Sequence, residues 1–229
     1  MLTKTAVLIF AFSQKEAEKR NKLFANKELY ASLTNRVRKI VDASKIDHFY
    51  FTEKKQIGSS FGERFSNAIA AIYAKGYDNV ITIGNDTPNL TVDHLLETKE
   101  ALESKSSVIG PSYDGGFYLL GLQKEYFDAT KFENFSWNTS KITKQIRSYI
   151  EQYTTQIVQF GYLHDIDNDG RLKLVFKSLA LSQYQLRNII QKLIQIQVFQ
   201  FLVVEINAVY TLISKYYNKG SPSRTLLYY

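Results

Sequence analysis

The sequence predicts an α/β fold with a mostly parallel sheet, followed by a helical C-terminal extension. Up to about residue 178, strand-like apolar runs alternate with helical patterns, which is typical of a parallel sheet covered by helices on both faces. Eight of the eleven glycines fall between Gly58 and Gly121, whereas Leu179–Tyr217 contains neither glycine nor proline. The length of 229 residues suits one domain, residues 1–178, and an appendage, residues 179–229.

Six short segments rich in β-branched, aromatic and aliphatic residues are predicted to be strands. Between them, apolar residues spaced three and four apart predict helices. The strands are, in order, Thr5–Phe12, His48–Phe51, Asn79–Gly84, Ser107–Ile109, Phe117–Leu122 and Gln156–Phe160. The helices are Gln14–Leu29, continued by the same spacing to Val41, then Phe61–Lys75, Thr91–Glu103, Thr139–Tyr153 and the long Leu179–Tyr217.

Composition limits the class of protein. Apolar residues make up 45% of the chain and aromatic residues 14%, which is enough for a packed core and excludes wholesale disorder. The absence of cysteine excludes disulfides and thiolate metal sites, although not metals held by oxygen. The apolar run Ala6–Phe12 is short for a signal peptide and lacks a small-residue cleavage site, so we expect a buried first strand and a cytoplasmic location.

The net charge is unevenly distributed along the chain. Residues from Lys177 onward carry +5 of the formal charge of +7. The main domain is therefore close to balanced, and we expect no nucleic-acid partner for it.

Asp86 directly follows the most strand-like segment, within Gly84–Pro88. Ligands of parallel α/β sheets bind at the carboxyl ends of the strands, so a carboxylate there would face the expected crevice. One or two carboxylates, together with phosphate oxygens of a substrate, are the ligands that Mg²⁺ prefers. The alternative is that Asp86 closes a tight Asx turn ahead of the proline.

Two glycine-containing segments provide further candidates. Gly110–Tyr118 joins two predicted strands and contains Asp114 in an Asp-Gly-Gly sequence, which is common hairpin chemistry but would lie at the same sheet edge as Asp86. Gly58–Arg64 opens a predicted helix, whose N–H groups suit an anion that Arg64 could also bind. A purely structural capping arrangement of its Glu-Arg pair is the alternative. The segment lacks the Gly-Lys-Ser/Thr ending of a P-loop.

Acidic residues alternate in Asp165, Asp167 and Asp169, after the last predicted strand. The spacing begins like an EF-hand loop, but the twelfth position is Phe176 instead of glutamate, which argues against calcium sensing. We therefore predict that Asp165 or Asp167 faces the same crevice as Asp86. The later residues of the segment could instead cap a following helix.

Trp137 lies in the segment Phe135–Thr139 and is the chain's single tryptophan. Its indole could line a substrate pocket or anchor the following helix, and the sequence leaves both open.

Taken together and in order, five segments resemble a known family. They are Gly58 with Phe61–Arg64, Gly84–Leu90, Gly110–Pro111 with Asp114–Tyr118, Ser136–Thr139, and Asp165–Asp167. The family comprises bacterial proteins of the nucleotide-diphospho-sugar transferase superfamily, with the GT-A-type glycosyltransferase fold. It is defined as a domain of unknown function, and some of its members are described as arsenosugar-biosynthesis glycosyltransferases. The resemblance covers roughly residues 1–178.

The resemblance implies a GT-A-like three-layer sandwich and a metal-dependent glycosyltransferase or nucleotidyltransferase that uses a nucleotide-linked donor with Mg²⁺ or Mn²⁺. Asp86 and Asp114 would be catalytic. Asp86, Asp165 and Asp167 would hold the metal. The residues that would bind the nucleotide or substrate are Gly58, Gly62, Glu63, Arg64, Gly84, Asn85, Gly115, Gly116, Tyr118 and Trp137.

One departure from the family pattern favours a second interpretation. Related proteins follow the first strand with a loop that contains proline and glycine and ends in Lys-Thr-Arg. Here Ala11–Arg20 contains neither residue type, so its backbone cannot approach phosphates as closely. The alternative function is a catalytically degenerate binding or assembly protein that keeps the fold.

The extension after residue 178 is basic and strongly apolar. A helix packed on its own domain or on a second subunit, giving a homo-oligomer, is the main interpretation. A basic amphipathic helix in peripheral contact with an anionic membrane is the alternative. The polar residues between Gln195 and Asn207 argue against a helix that spans a membrane.

Overall fold

The computed structural model describes residues 3–19, 26–166 and 169–217. Six strands and eight α-helices are present in this part of the chain. The strands are β1 (Thr5–Phe10), β2 (Asp47–Phe51), β3 (Asn79–Ile83), β4 (Ser107–Pro111), β5 (Phe117–Gln123) and β6 (Ile157–Gln159). The helices are α1 (Gln14–Lys19), α2 (Lys27–Ser44), α3 (Phe61–Tyr73), α4 (Val92–Glu103), α5 (Ala129–Glu133), α6 (Ile142–Ile150), α7 (Leu172–Ser178) and α8 (Tyr184–Tyr217).

The strands form one sheet in the order β2-β1-β3-β5-β4-β6. Strands β2, β1 and β3 are parallel neighbours, and so are β4 and β6. Strand β5 runs antiparallel to both β3 and β4, which it separates. The predicted α/β fold with a mostly parallel sheet and a helical extension is therefore confirmed, with one reversed strand near its centre.

Helices cover both faces of the sheet because side chains of each strand alternate between them. In β1, Ala6 and Leu8 face a core shared with α3 and α6, whereas Val7 and Ile9 face a core shared with α2 and α4. Strand β3 is buried along its whole length, as its β-branched sequence predicts. These three layers place the carboxyl ends of β1 and β3 side by side.

A third core cluster joins the C-terminal region to the domain. Leu172 and Val175 of α7, together with Leu186 and Ile190 of α8, pack with side chains of α1 and α2. The first turns of α8 therefore pack on the chain's own domain, whereas the large apolar side chains from Ile196 onward are exposed.

Helix ends match local sequence signals. The side chains of Asn26, Ser60 and Thr91 accept hydrogen bonds from the first turns of α2, α3 and α4. Helix α5 was not predicted from the sequence, whereas α7 lies where the sequence offered a helix after the acidic segment. The predicted helix Gln14–Leu29 is represented by α1 and the start of α2, and residues 20–25 lie outside the described part of the chain.

Candidate functional site

A cavity of about 460 Å³ opens at the carboxyl ends of β1 and β3. Its volume is within the range of small-molecule sites. One part of the lining carries carboxylates, and another part, the aromatic wall, carries clustered aromatic rings. The acidic lining residues are Asp86, Asp114 and Asp165, and the aromatic ones include Phe10, Phe61, Phe65, Phe117 and Trp137.

The loop after β3 holds Asp86 at the cavity wall. The backbone carbonyl of Asp86 accepts a hydrogen bond from the N–H of Ile166 at 2.9 Å. Further along the loop, the Arg36 guanidinium donates to the carbonyl oxygens of Pro88 and Leu90 at 2.7 and 3.1 Å. The neighbouring Asn85 side chain is buried and donates to Thr34 Oγ1 at 3.0 Å. The carboxylate therefore projects from a loop whose backbone is fixed on both sides.

Asp165 lies on the same wall as Asp86. Its side chain is 7% exposed, and its Oδ1 accepts a hydrogen bond from the hydroxyl of Thr87, which directly follows Asp86. Two links, Thr87 to Asp165 and Ile166 to Asp86, join the two loops although they are far apart in sequence. The structure thus brings Asp86 and Asp165 to one cavity wall. Asp167 lies outside the described residues.

Asp114 closes the β4–β5 turn. Its Oδ1 accepts hydrogen bonds from the Ser112 hydroxyl and from the N–H of Gly116 at 2.9 Å, while Oδ2 lies 4.0 Å from Arg171 Nη1. Partial burial opposes ionisation, but these donors and the guanidinium outweigh it, so the pKa of Asp114 lies below its ordinary value. The side chain is therefore both a turn element and an ionised wall of the cavity. Gly115, at φ 89°, supports the same turn outside the lining.

Polar groups of the segment 58–64 form hydrogen bonds with one another. The Glu63 carboxylate accepts from the N–H and the hydroxyl of Ser59 at 2.7 and 2.8 Å, and Arg64 Nη1 donates to the Ser59 carbonyl at 2.9 Å. The hydrogen bonds from Ser59 lower the pKa of the exposed Glu63. This is the capping arrangement that the sequence left open. Gly58, Gly62, Glu63 and Arg64 border the cavity's aromatic wall without lining it.

Trp137 both anchors the local structure and lines the cavity. Its Nε1 donates to the Phe132 carbonyl at 2.6 Å, and its ring lies 5.1 to 6.2 Å from the ring centres of Phe61, Phe65 and Phe117. Tyr118 is buried beside this wall and donates to the Gly161 carbonyl at 3.1 Å. Burial, reinforced by Asp165, raises the pKa of Tyr118. The indole thus lines the cavity and is anchored to the preceding helix α5, whereas the sequence offered the following helix as the alternative.

Sequence reasoning missed several lining residues, among them Phe12, Tyr30 and Gln56. The Tyr30 hydroxyl donates to the Phe12 carbonyl, and Gln56 Nε2 donates to the Phe51 carbonyl at 3.0 Å. Nothing in their local sequence signals a site, since they meet only after β1, β2 and α2 have packed.

The loop after β1 is closed by an acidic side chain. The N–H and the hydroxyl of Ser13 donate to the two Glu53 carboxylate oxygens at 2.8 and 2.7 Å. Burial opposes ionisation of Glu53, but the Ser13 donors prevail and its pKa is lowered. The Glu53 carboxylate therefore accepts both hydrogen bonds that Ser13 donates at the start of α1, next to Phe12.

The acidic residues described in the cavity suit a cation that is also bound by a substrate. Among them there is no group of three or more His, Asp or Glu side chains that could hold a metal ion. Asp86 and Asp165 nevertheless share one cavity wall. Magnesium is commonly held by one or two carboxylates together with substrate phosphates, so this pair suits joint binding of cation and phosphate.

The sheet with one reversed strand and helices on both faces matches the GT-A-like fold of nucleotide-diphospho-sugar transferases. The sequence model of a family described as "Uncharacterized protein conserved in bacteria (DUF2064)" matches residues 28–139. This match over the central part of the chain agrees with the resemblance drawn from the motifs.

Solved structures share the fold at low sequence identity. A protein from Desulfovibrio desulfuricans G20, provisionally assigned as a nucleotide-diphospho-sugar transferase, superposes with a TM-score of 0.66 at 18% identity. The match covers 84% of this chain and 97% of that one. At this identity the likeness establishes the fold.

Two further structures are more distant. Rv0371C from Mycobacterium tuberculosis H37Rv, solved as a complex with manganese, has a TM-score of 0.43 and 10% identity, over 77% of this chain and 100% of that chain. The 4-diphosphocytidyl-2C-methyl-D-erythritol synthase from Anaerococcus prevotii DSM 20548 has a TM-score of 0.45 and 10% identity, over 82% and 96%. No curated protein matches the sequence.

Proposed function

We propose that the chain transfers a glycosyl or nucleotidyl group from a nucleotide-linked donor bound in the cavity at the ends of β1 and β3. One observation carries the proposal. Two carboxylates, Asp86 and Asp165, are held together in the lining of a cavity that also has an aromatic wall. This arrangement suits a ligand that combines a flat ring with a cation-bound phosphate.

The carboxylates are assigned separate roles. Asp86 and Asp165 would hold Mg²⁺ or Mn²⁺ together with the donor phosphates. Asp167, the third metal ligand predicted from the sequence, lies outside the described residues. Such a cation neutralises charge on a leaving diphosphate. Asp114, kept ionised in the cavity lining, would orient an acceptor hydroxyl by accepting its hydrogen bond.

The aromatic wall is assigned to the flat parts of the ligand. Trp137 is fixed by its hydrogen bond to Phe132 and by its packing on Phe61 and Phe65, so its ring is held in place before a ligand arrives. A preorganised aromatic surface loses little conformational freedom on binding. A base or the apolar face of a sugar would stack on these aromatic rings.

A second function is favoured by a specific contact. The Glu53 carboxylate occupies the Ser13 donors in the loop after β1, where the related family has a loop with proline and glycine. An anionic side chain at this place competes with phosphate for the same N–H group. The alternative proposal is therefore a protein that keeps the fold and the cavity for binding without transfer.

Thermal unfolding of the full chain with nucleotides and nucleotide sugars, each with and without Mn²⁺ or Mg²⁺, tests the donor site. Because two carboxylates hold a cation weakly on their own, we expect no shift with metal alone and a clear shift with metal and donor together. A ligand at a hundred times its dissociation constant adds about 2.7 kcal/mol of stability. Asp86→Asn and Asp165→Asn should remove the metal-dependent part.

Glu100→Gln provides the matched control, because Glu100 is an exposed acid on α4 away from the cavity. It should leave the shift unchanged. Loss of the shift in this variant, or a shift that persists without Asp86 and Asp165, would contradict the assigned site. A metal-dependent shift without any release of nucleotide from the donor would favour the binding protein over the transferase.

A further inference from the structure

Helix α8 leaves its domain after the first turns. Leu186, Ile189 and Ile190 are at most 7% exposed because they pack in the third core cluster. From Ile196 onward the helix carries large apolar side chains that contact no other described element extensively. Between 39% and 72% of each is exposed in Ile196, Val198, Phe199, Phe201, Leu202, Val203, Val204, Ile206, Val209, Tyr210, Leu212 and Ile213. An apolar helix this exposed requires a covering environment.

The length of the exposed segment matches a lipid bilayer. Residues 193–214 include one formally charged side chain, Glu205, between Lys192 and Lys215. At 1.5 Å per residue this segment is about 33 Å long, close to the roughly 30 Å hydrocarbon core of a membrane. The described helix is accordingly long and apolar enough to cross a membrane, which the sequence analysis did not expect.

The distribution of side chains favours crossing the bilayer over lying on it. Val204 and Ile206 are two residues apart, which places them about 200° apart around the helix, yet 67% and 66% of these side chains are exposed. A helix that lies on a membrane has a polar face rich in Lys and Arg. Between residues 193 and 214 neither residue type occurs.

Two hydroxyl groups near the end of the segment have hydrogen-bond partners that limit the cost of entering lipid. Thr211 Oγ1 donates to the Asn207 carbonyl at 2.8 Å, and Ser214 Oγ donates to the Thr211 carbonyl at 3.0 Å. These hydroxyls are therefore satisfied within the helix itself. Glu205 is the single acidic group, and a carboxylic acid in hydrocarbon is neutralised by protonation.

We infer that residues 193–214 form a membrane-spanning anchor for the domain. The partner is the hydrocarbon core of a lipid bilayer, and in the sequence Lys192 precedes the segment and Lys215 follows it. The junction with the domain is fixed, because Arg187 donates to the Phe176 and Leu179 carbonyls at 3.2 and 2.6 Å and its guanidinium lies 4.5 Å from the Phe176 ring centre. The cavity is thereby held at a defined place relative to the membrane.

The test uses the full chain, synthesised in a cell-free reaction that contains vesicles of uncharged phosphatidylcholine. We expect the protein to float with the vesicles and to remain with them after washes in 1 M salt and alkaline carbonate. Val204→Arg and Ile206→Arg should each lower the carbonate-resistant fraction at least tenfold, because a spanning helix has lipid on every side. Glu205→Leu should raise that fraction.

Leu181→Arg is the control, since Leu181 is 83% exposed but precedes the segment. It should leave flotation unchanged. Flotation that requires anionic lipid, disappears in 1 M salt and is lost in Ile206→Arg alone would overturn the spanning helix in favour of a surface-bound one. Absence of flotation, with a stable dimer in sedimentation that Ile206→Arg dissociates, would overturn it in favour of a second copy of the chain.

Discussion

Gly84 leaves the space that the Asp86 carboxylate occupies. A Cβ at residue 84 would lie 2.7 Å from Asp86 Oδ1, so the carboxylate would have to move. The contact is with the end of a flexible side chain, so the substitution is tolerable for the fold. Gly84→Ala should therefore change the unfolding free energy by less than about 1 kcal/mol but abolish the metal-dependent shift with donor.

Thermal unfolding of Gly84→Ala with and without metal and donor checks this prediction. A variant that keeps the full shift would show that the observed position of the Asp86 carboxylate is not required for binding.

The lowered pKa of Asp114 makes a pH-dependent contribution to stability. A carboxyl whose folded pKa is depressed stabilises the fold above its unfolded pKa, near 3.8, and that contribution is lost as the pH falls through the folded pKa. Asp114→Asn should therefore cost about 1 kcal/mol at pH 7, a value reduced for partial exposure. The difference from the unsubstituted chain should shrink below pH 4.

Denaturant unfolding of both proteins at pH 7 and pH 3 measures that difference. An equal difference at both pH values would mean that ionisation of Asp114 contributes nothing to the turn.

The position of a single residue can be predicted where a strand end determines it. Asp86 follows β3 directly, and the end of a parallel strand is where a sheet presents its ligands. The contact between Ser13 and Glu53 could not be predicted, because it depends on two loops that meet only once β1 and β2 pair in register. Sequence spacing contains no information about such a pairing.

At the scale of elements, Gly62 sets how closely α3 approaches the segment that carries Trp137. A Cβ at residue 62 would lie 2.3 Å from the Glu133 carbonyl and 2.7 Å from the indole. Because one neighbour is backbone, the elements themselves would have to separate. Gly62→Ala should destabilise the fold by about 1–3 kcal/mol.

Gly161→Ala is the matched control, since a Cβ there meets nothing within 4 Å. Denaturant unfolding should give a near-neutral result for it. Equal stability of the two variants would show that α3 does not need a glycine at residue 62 to pack against the segment that carries Trp137.

The strands were easier to predict than the way in which they are arranged. The run Asn79–Ile83 is apolar and β-branched, so its burial follows from sequence alone. The reversal of β5 follows from the short turn that Asp114 closes, and the sequence did identify that turn as hairpin chemistry. Helix α5 has only five residues, so its apolar pattern is too short to be recognised. Its helix is stabilised by packing on α3, a contact that sequence periodicity does not reveal.

On the scale of the whole molecule, the third core cluster ties the C-terminal region to the sheet domain. Ile190 is fully buried in this cluster, whereas 51% of Leu202 on the same helix is exposed. Ile190→Ala should therefore cost about 2–4 kcal/mol of unfolding free energy, and Leu202→Ala close to nothing. A predicted domain boundary at residue 178 remains a prediction, but the cluster extends across it.

Hydrogen exchange should resolve α8 into two parts with different stabilities. Amides near Ile190 are protected by the third cluster and should exchange only on unfolding of the domain. In lipid-free buffer the projecting segment has no comparable packing, and an unsupported helix of this length is marginal in water. Its amides, from about residue 196 to residue 214, should therefore exchange many times faster.

In phosphatidylcholine vesicles the same amides should become as slow as those near Ile190, because hydrocarbon offers no partner to an opened backbone N–H. Mass spectrometry of exchanged peptides with and without vesicles measures both states in one protein. Protection of the whole of α8 in lipid-free buffer would instead mean that protein covers the segment, and the membrane anchor would then have to be abandoned.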